Sequence, residues 1–314
     1  MNDFLNAFTF GFMEKRGFTK KQSWRWSLEE MVRTTGCNAI ILPICAWQEH
    51  TYSTQVESDS PDVMDEEDVQ NVCRHARKLA LRVILKAMVN CRDGYWRAYI
   101  HFFDNEVTGE PAWSDWFRSW GTHVKRVACM ARDNGADMLC VGCEMIGTDH
   151  RAAEWRSLIA ETRAIYAGPI TYNCDKRQED IVTWWDACDV ISSSGYYSID
   201  EIDQNIERIR RVSEKYDRPF MFMECGCPSR EGSPFRPYDW KTVGEVSEQA
   251  QRDWYEAFTG ALLDHSFVRG TGWWDWPATR LYPEAAGVDN GGYCTYGKAA
   301  GETLRRFAEK IGEQ

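Results

Sequence analysis

The stretch "ADMLCVGCEMIG" at residues 136–147 holds an unbroken apolar run that ends on one carboxylate, Glu144. The stretch "PFMFMECG" at 219–226 repeats this pattern and ends on Glu224. Short apolar runs of the same kind occur at 8–12, 38–44, 82–88, 168–174, 189–195 and 270–276. Runs that are apolar throughout, without alternation, are typical of parallel strands that are covered on both faces.

Amphipathic helical patterns separate these runs. Residues 65–81 carry acids in the first turn and bases in the last, and Ser27 is predicted to cap a helix that ends at Gly36. Eight strands alternating with helices over 314 residues predict one α/β domain, a single (β/α)8 TIM barrel over residues 1–314. A doubly wound open sheet is the alternative, but its glycine-rich phosphate turn after an early strand is missing.

The composition and net charge indicate which classes of partner to expect. A net charge of −11 repels phosphate backbones and anionic lipid, so neither nucleic acid nor a membrane is expected as a partner. The N-terminus lacks the features of a signal peptide, and no run approaches the ~20 apolar residues of a membrane span. Twelve cysteines in so long a chain indicate free thiols in a reducing compartment, so a cytoplasmic location is expected.

One cysteine pair, Cys140 and Cys143, has the C-x-x-C spacing of redox and zinc sites. On a strand this odd separation points the two side chains to opposite faces, which argues against a redox or zinc pair. No histidine ends a predicted strand, and the metal-hydrolase and phosphate-loop motifs are missing. We therefore expect neither a metal nor an organic cofactor.

The two carboxylates have a chemical interpretation in a barrel. The carboxyl ends of barrel strands form the active site, and Glu144 and Glu224 end strands four and seven. Two carboxyls facing each other there are what glycoside hydrolysis requires, since one protonates the leaving oxygen and the other attacks the anomeric carbon or activates water. A single such glutamate would be equally well explained as the first solvated residue after a strand.

The sequence resembles Glycoside Hydrolase Family 113, within the clan of retaining (β/α)8 hydrolases, over nearly its whole length. The resemblance lies in the order and spacing of "HARKLALRVILKAMV" (75–89), "VGCEM" (141–145), "WWDACDVISSSGYYSI" (184–199), "RPFMFMECGCPS" (218–229) and "GTGWWDW" (270–276). It implies cleavage of β-1,4-mannosidic bonds in mannan or manno-oligosaccharides by double displacement. It also implies Glu144 as the acid/base, Glu224 as the nucleophile, Tyr196 beside the nucleophile and Trp274 as a subsite tryptophan.

Further side chains at predicted strand ends are candidates for contacts with a neutral sugar. Sugar rings pack on aromatic faces, and their hydroxyls need polar partners. The aromatic candidates besides Trp274 are Trp276, Trp47 and Trp96. The polar candidates are Lys86, Asn90, Arg97, Asn173 and Asp175, and Lys86 is explained equally well by an ion pair inside the barrel.

The sugar itself is left open by these residues. Cys143 stands directly before Glu144, where many members of the clan carry an asparagine that contacts the sugar 2-hydroxyl. That departure is compatible with mannose, and a glycosidase for xylan, glucan or galactan is the alternative. A non-catalytic carbohydrate-binding barrel is a further hypothesis, because the same fold hosts many functions. Endo or exo cleavage and the oligomeric state are not predicted.

Overall fold

The computed structural model describes residues 4–241, 243–279 and 290–313. Its centre is a closed barrel in which each strand pairs in parallel with the next and the eighth pairs with the first. The prediction of a single (β/α)8 TIM barrel is therefore confirmed. None of the described helices is both long enough and apolar enough to cross a membrane.

The strands and helices alternate along the chain. The strands are β1 (Leu5–Phe10), β2 (Ala39–Gln48), β3 (Arg82–Cys91), β4 (Met138–Cys143), β5 (Ile170–Cys174), β6 (Val190–Ser194), β7 (Phe220–Cys225) and β8 (Val268–Trp276). The helices are α1 (Ser23–Thr35), α2 (Glu66–Lys78), α3 (Trp113–Asp133), α4 (Ala152–Arg163), α5 (Ile202–Tyr216), α6 (Glu248–Asp264) and α7 (Ala299–Glu313). Between β5 and β6 the described chain forms only a short 3-10 turn, Trp185–Ala187.

Local sequence signals explain some of the helix ends. Asp65 caps α2 by accepting from the backbone N–H of Asp68, and the helix carries three acids in its first turn, where they complement the helix dipole. The predicted cap of α1 at Ser27 is wrong, since the helix begins at Ser23. The Ser27 hydroxyl instead donates to the carbonyl of Pro277, so this serine ties α1 to the end of β8.

The barrel wall separates two apolar layers. Residues such as Ile40 and Leu42 point outward and pack under the helices, whereas their neighbours Ala39 and Ile41 point into the barrel. Towards the carboxyl ends of the strands the interior becomes polar, beginning at the fully buried Lys86. Charged side chains at that end therefore converge on one cavity at the mouth of the barrel.

Candidate active site

Glu144 and Glu224 meet in the mouth of the barrel. Glu144 directly follows β4, and Glu224 lies within β7 beside Ser194 of β6. Both side chains are buried, and one oxygen of each lies within 4.8 Å of the other. Retaining glycosidases hold their carboxyls about 5–5.5 Å apart, whereas inverting enzymes need about 6.5–9.5 Å to admit a water. The spacing here is that of the retaining arrangement.

The backbone at Glu144 is unusual. Its φ is +51°, in the left-handed region that costs a residue with a side chain about 1–2 kcal/mol. Its N–H donates to the carbonyl of Asn173 on β5 at 2.7 Å, which holds the chain in that conformation. The turn directs the Glu144 carboxyl across the barrel towards β6 and β7.

Glu224 is surrounded by hydrogen-bond donors. Lys86 Nζ lies 2.5 Å from Oε1, the thiol of Cys143 lies 3.2 Å from the same oxygen, and the hydroxyl of Tyr196 lies 3.2 Å from Oε2. Burial acts to raise the pKa of Glu224, but the charges of Lys86 and Arg97 and the hydrogen bonds hold the pKa below its ordinary value. The carboxylate is thus kept ionised, as a nucleophile requires.

Two of those donors are neutral. Burial, and after it the charge of Glu224, raise the pKa of the Cys143 thiol and of the Tyr196 phenol well above their ordinary values. Both groups therefore keep their protons and point them at the carboxylate. Lys86 supplies the positive charge of the ion pair, with no exposed surface of its own.

Glu144 has a different set of neighbours. The hydroxyl of Ser194 donates to Oε1 at 2.6 Å, and the indole N–H of Trp96 donates to Oε2 at 3.3 Å. Arg97 Nη2 lies 3.7 Å from Oε2. Trp96 is 36% exposed, so this oxygen lies on the open side of the site while Oε1 faces the barrel wall.

Cys143, Glu144 and Glu224 are also grouped closely enough to offer three ligands to a metal ion. The prediction that Cys140 and Cys143 point to opposite faces is wrong. The register of β4 against β5 shifts between them, and both thiols lie inside the barrel. A cation among the three ligands would have to displace the Lys86 ammonium or stand against its charge, so the donor set fits a protein ion pair better than a metal.

The predicted polar sugar contacts divide into two groups. Lys86 and Asn173 are fully buried and bind each other at 2.7 Å, so their polar atoms serve Glu224 instead of an open subsite. Asn90 accepts a hydrogen bond from Arg97 at 3.2 Å. Its Nδ2 is buried and has no hydrogen-bond partner among the described residues. Asp175 follows β5 and lies close enough to Glu144 for the Glu144 charge to act on the Asp175 carboxyl.

The predicted aromatic contacts also differ among themselves. Trp96 touches Glu144, and Trp274 is half-buried with its ring 4.5 Å from that of Phe12 at the inner side of β8. Trp47 is half-buried, with its N–H 3.4 Å from the carbonyl of Asp62 and the Arg92 guanidinium 5.2 Å from its ring. The contacts of Trp47 thus run to the loops after β2 and β3.

The prediction of Trp276 as a sugar contact is wrong. Trp276 is fully buried outside the barrel, where its indole N–H lies 3.1 Å from Ser27 of α1 and its ring packs edge-on against Phe8. Phe8 pairs with Trp273 and Phe10 with Trp276. Two steps along β1 therefore oppose three along β8, and this bulge places Trp276 on the outer face.

Two further residues of the site were not predicted from the sequence. Ser194 touches Glu144, but a serine within a strand gives no signal of its own. Asp275 follows Trp274 at the mouth, and burial raises its pKa to about 6, with the Glu224 charge adding to the shift. Burial and the charge of Glu144 likewise raise the pKa of Asp175 to about 7. The carboxylate pair is thus flanked by two more acidic side chains.

A closed (β/α)8 barrel that carries two buried carboxyls at this separation has the architecture of a barrel glycoside hydrolase. The model of Glycoside Hydrolase Family 113 matches residues 8–298, and the chain belongs to this family. The resemblance found in the sequence is therefore confirmed. No curated protein sequence matches the chain.

Solved structures agree with this placement. A β-1,4-mannanase of the family, solved as a complex, is 40% identical over 98% of this chain and 99% of its own, with a TM-score of 0.95. The β-mannanase AaManA from Alicyclobacillus acidocaldarius is 36% identical over 98% of each chain, with a TM-score of 0.93. A β-D-glucuronidase from Dictyoglomus thermophilum, 18% identical with a TM-score of 0.65 over 98% of this chain and 50% of its own, shares the fold.

Proposed function

We propose that this protein is a retaining β-1,4-mannanase that cleaves mannan or manno-oligosaccharides. The observation that carries the proposal is the carboxyl pair, Glu144 and Glu224, with oxygens within 4.8 Å of each other in the mouth of the barrel. The sugar is supported by the family relatives at 36–40% identity, which are β-mannanases. Those matches favour mannan over the xylan, glucan and galactan alternatives.

In the first step Glu224 attacks the anomeric carbon. Its Oε2, which Tyr196 contacts at 3.2 Å, or its Oε1 forms the bond to C1 as the bond from C1 to the glycosidic oxygen breaks. Glu144 gives its proton to that oxygen, and the leaving sugar departs with a free hydroxyl. The covalent mannosyl–enzyme and an ionised Glu144 remain.

In the second step a water enters where the leaving sugar was. Glu144 takes a proton from this water, the water oxygen bonds to C1, and the bond from C1 to Glu224 breaks. Two inversions at C1 restore the β configuration, and Glu144 is again protonated. Lys86 takes no proton in this scheme, because its ammonium stabilises the Glu224 carboxylate before attack and after release.

Neutral donors complete the arrangement. Tyr196 and Cys143 each offer one proton to Glu224. Negative charge leaves Glu224 as it bonds to C1, so the hydrogen bonds from Tyr196 and Cys143 weaken during the attack. Their role is to orient the nucleophile, and neither group acts as an acid.

Product analysis tests the proposal. The wild type is expected to cleave manno-oligosaccharides and to leave xylo-, gluco- and galacto-oligosaccharides intact, and Glu224→Ala is expected to lose turnover while still binding the sugar. NMR of the first products should show the β anomer. Equal cleavage by Glu224→Ala would refute the catalytic pair, and sugar binding without wild-type turnover would instead favour a carbohydrate-binding barrel.

Azide assigns the two roles separately. In Glu224→Ala, azide can attack C1 of the intact substrate only from the side opposite the leaving group, which gives an α-mannosyl azide. In Glu144→Ala the covalent intermediate still forms from an activated aryl mannoside, and azide attacks it to give the β-mannosyl azide. The reverse pattern of anomers would exchange the assignments of Glu144 and Glu224.

We also propose that the protein works in a reducing, cytoplasmic compartment. All twelve cysteines are unpaired, and most are buried. Burial raises the pKa of several of these thiols, Cys45 to about 11 among them, so they are poor partners for oxidation. Cell fractionation with an antibody against the protein tests the location, and recovery from an extracellular fraction would refute it.

A further inference from the structure

A chain of hydrogen bonds inside the barrel joins the two carboxylates to which the proposed function assigns catalysis. From Glu224 it passes to Lys86 Nζ at 2.5 Å and from there to Asn173 Oδ1 at 2.7 Å. Asn173 Nδ2 then donates to Ser194 Oγ at 3.1 Å, and Ser194 Oγ donates to Glu144 Oε1 at 2.6 Å. Lys86, Asn173 and Ser194 have no exposed surface, so water does not compete for these bonds.

The direction of each bond is fixed by Lys86. An ammonium can only donate, so the Asn173 atom that faces it must be the carbonyl oxygen. The amide nitrogen of Asn173 then faces the other way, where its two protons go to Cys174 O at 2.8 Å and to Ser194 Oγ. Ser194 Oγ is therefore an acceptor towards Asn173, and its single proton is left for Glu144.

We propose that Ser194 is a positioning residue that keeps the acid proton of Glu144 on Oε2, the oxygen that faces the substrate. The inference rests on the proposed function, because it concerns the proton that Glu144 gives to the leaving sugar. Oε1 already accepts the Ser194 proton. A proton on Oε1 would reverse this hydrogen bond and leave the Ser194 proton without another acceptor among the described residues. A proton on Oε2 leaves the bond from Ser194 in place.

The neighbours of Oε2 support this placement. Among the described residues, Oε2 contacts the N–H of Trp96 at 3.3 Å and Arg97 Nη2 at 3.7 Å, and both groups are donors. A proton on Oε2 therefore meets no acceptor in the protein's hydrogen bonds, and it is free for the glycosidic oxygen. Ser194 thus converts a symmetric carboxyl into one with a defined acid side.

The test compares leaving groups. Loss of correct proton placement must slow departure of a sugar, which needs protonation, and must matter little for dinitrophenolate, which leaves as a stable anion. We expect Ser194→Ala to lower kcat/KM on mannotetraose by about 100-fold, within the usual contribution of general acid catalysis. On dinitrophenyl β-mannoside the loss should stay below about threefold, as it should for Glu144→Ala in the same assay.

Ser193→Ala is the matched control. Ser193 precedes Ser194 on β6 and is equally buried, but its hydroxyl donates to Glu179 Oε1 at 2.7 Å on the outer side of the strand. This variant should leave the ratio of the two kcat/KM values unchanged. Ser194→Thr keeps a hydroxyl at the position and should recover most of the mannotetraose activity, which shows that the lost proton donor is responsible.

Each result has one meaning. A matching loss on both substrates in Ser194→Ala, or no loss on either, overturns the inference even when the variant folds normally by circular dichroism. If Ser194→Ala does not fold, Ser194→Cys takes its place, because a thiol is only a weak donor. A loss confined to mannotetraose then supports the inference, and an equal loss on both substrates, or none, overturns it. If Glu144→Ala itself shows no preference for the aryl mannoside, the acid/base assignment in the proposed function fails instead.

Discussion

Replacing Lys86 with methionine removes the ammonium from the interior of the barrel and leaves Glu224 as a buried carboxylate. At 2.5 Å and an effective dielectric constant of about 20, the attraction between the two charges is about 7 kcal/mol. Desolvation of each ion costs several kcal/mol, so the pair as a whole adds little net stability. Breaking a buried pair by removing one partner, however, typically costs about 3–5 kcal/mol.

The contacts of Glu224 and Asn173 narrow the expected loss of stability in Lys86→Met. Arg97 also acts on Glu224 and stays in the variant, which compensates part of the lost charge. Asn173 Oδ1 loses its strongest donor at the same time, which adds a fraction of the about 1–3 kcal/mol of an unsatisfied buried acceptor. We expect Lys86→Met to lower the free energy of unfolding by about 3–4 kcal/mol at pH 7.

A double-mutant cycle separates the charge effect from packing. Glu224→Gln alone leaves the Lys86 ammonium unpaired and should also destabilise, whereas Lys86→Met with Glu224→Gln leaves no buried charge in the pair. We expect the double variant to be more stable than the sum of the single changes predicts, by about 2–3 kcal/mol. Urea unfolding followed by tryptophan fluorescence and circular dichroism measures these values, provided that the two probes coincide.

The pH dependence adds a check on sign. The pKa of Glu224 is lowered in the wild type, so its contribution to stability is present above the ordinary value of about 4.3 and is lost as pH falls through the folded pKa. In Lys86→Met the Lys86 charge no longer opposes the effect of burial, which raises the pKa of Glu224. The loss of stability relative to the wild type should therefore be largest at pH 7 and shrink towards pH 4. Lys15→Met is the control, because its pair with Asp62 lies at the surface, where an ion pair contributes little to stability. Additive single changes, or a deficit independent of pH, would refute the reasoning.

Three further outcomes are expected. Burial raises the pKa of Asp149 to about 8, so the wild type should lose stability as pH rises from about 4 to about 8, by up to about 1.4 kcal/mol per pH unit. In urea unfolding, Asp149→Asn should be as stable as the wild type at pH 4 and more stable at pH 8. A variant that is equally or less stable than the wild type at pH 8 would contradict the raised pKa. Trp276→Ala should lower the free energy of unfolding by about 3–5 kcal/mol and leave KM unchanged. Trp274→Ala should raise KM about tenfold, equivalent to about 1.4 kcal/mol, with little loss of stability. The opposite pattern in thermal unfolding and steady-state kinetics would reverse the two assignments. EDTA should leave the rate of mannan cleavage unchanged, because the Lys86 ammonium occupies the place of a cation, and a loss of rate restored by one added divalent ion would argue for a metal.

The fold could be predicted because the signals for it are local and repeated. Each apolar run is long enough to form a buried strand, and each helical pattern buries one face against the barrel. The absence of a helix between β5 and β6 was not predicted, because Ile181, Trp184, Trp185 and Cys188 have the helical spacing i, i+3, i+4 and i+7 although the chain there forms only a short 3-10 turn. The start of α1 could not be placed, because Ser27 looks like a cap in the sequence while its hydroxyl in fact donates to the carbonyl of Pro277, directly after β8.

The positions of the two carboxylates at the barrel mouth were predictable for a related reason. An ionised residue that ends a buried run must lie where solvent or a partner reaches it, and in a barrel that place is the carboxyl end of the strands. The partners of Glu144 and Glu224 were less predictable. Ser194 is one of three consecutive serines on β6, and only the barrel geometry shows which of them meets Glu144.

The residues that sequence reasoning misplaced lie where the strands are irregular. The register shifts between Cys140 and Cys143 of β4, and again in β8 before Trp276. At these points the rule that alternate side chains share a face no longer holds, so Cys143 turns inward to Glu224 and Trp276 turns outward to α1. Bulges are common beside active sites because they aim a side chain that a regular strand would direct elsewhere. In this barrel the rule that alternate side chains share a face therefore fails at identifiable places, where a strand is distorted so that its side chains meet those of other elements.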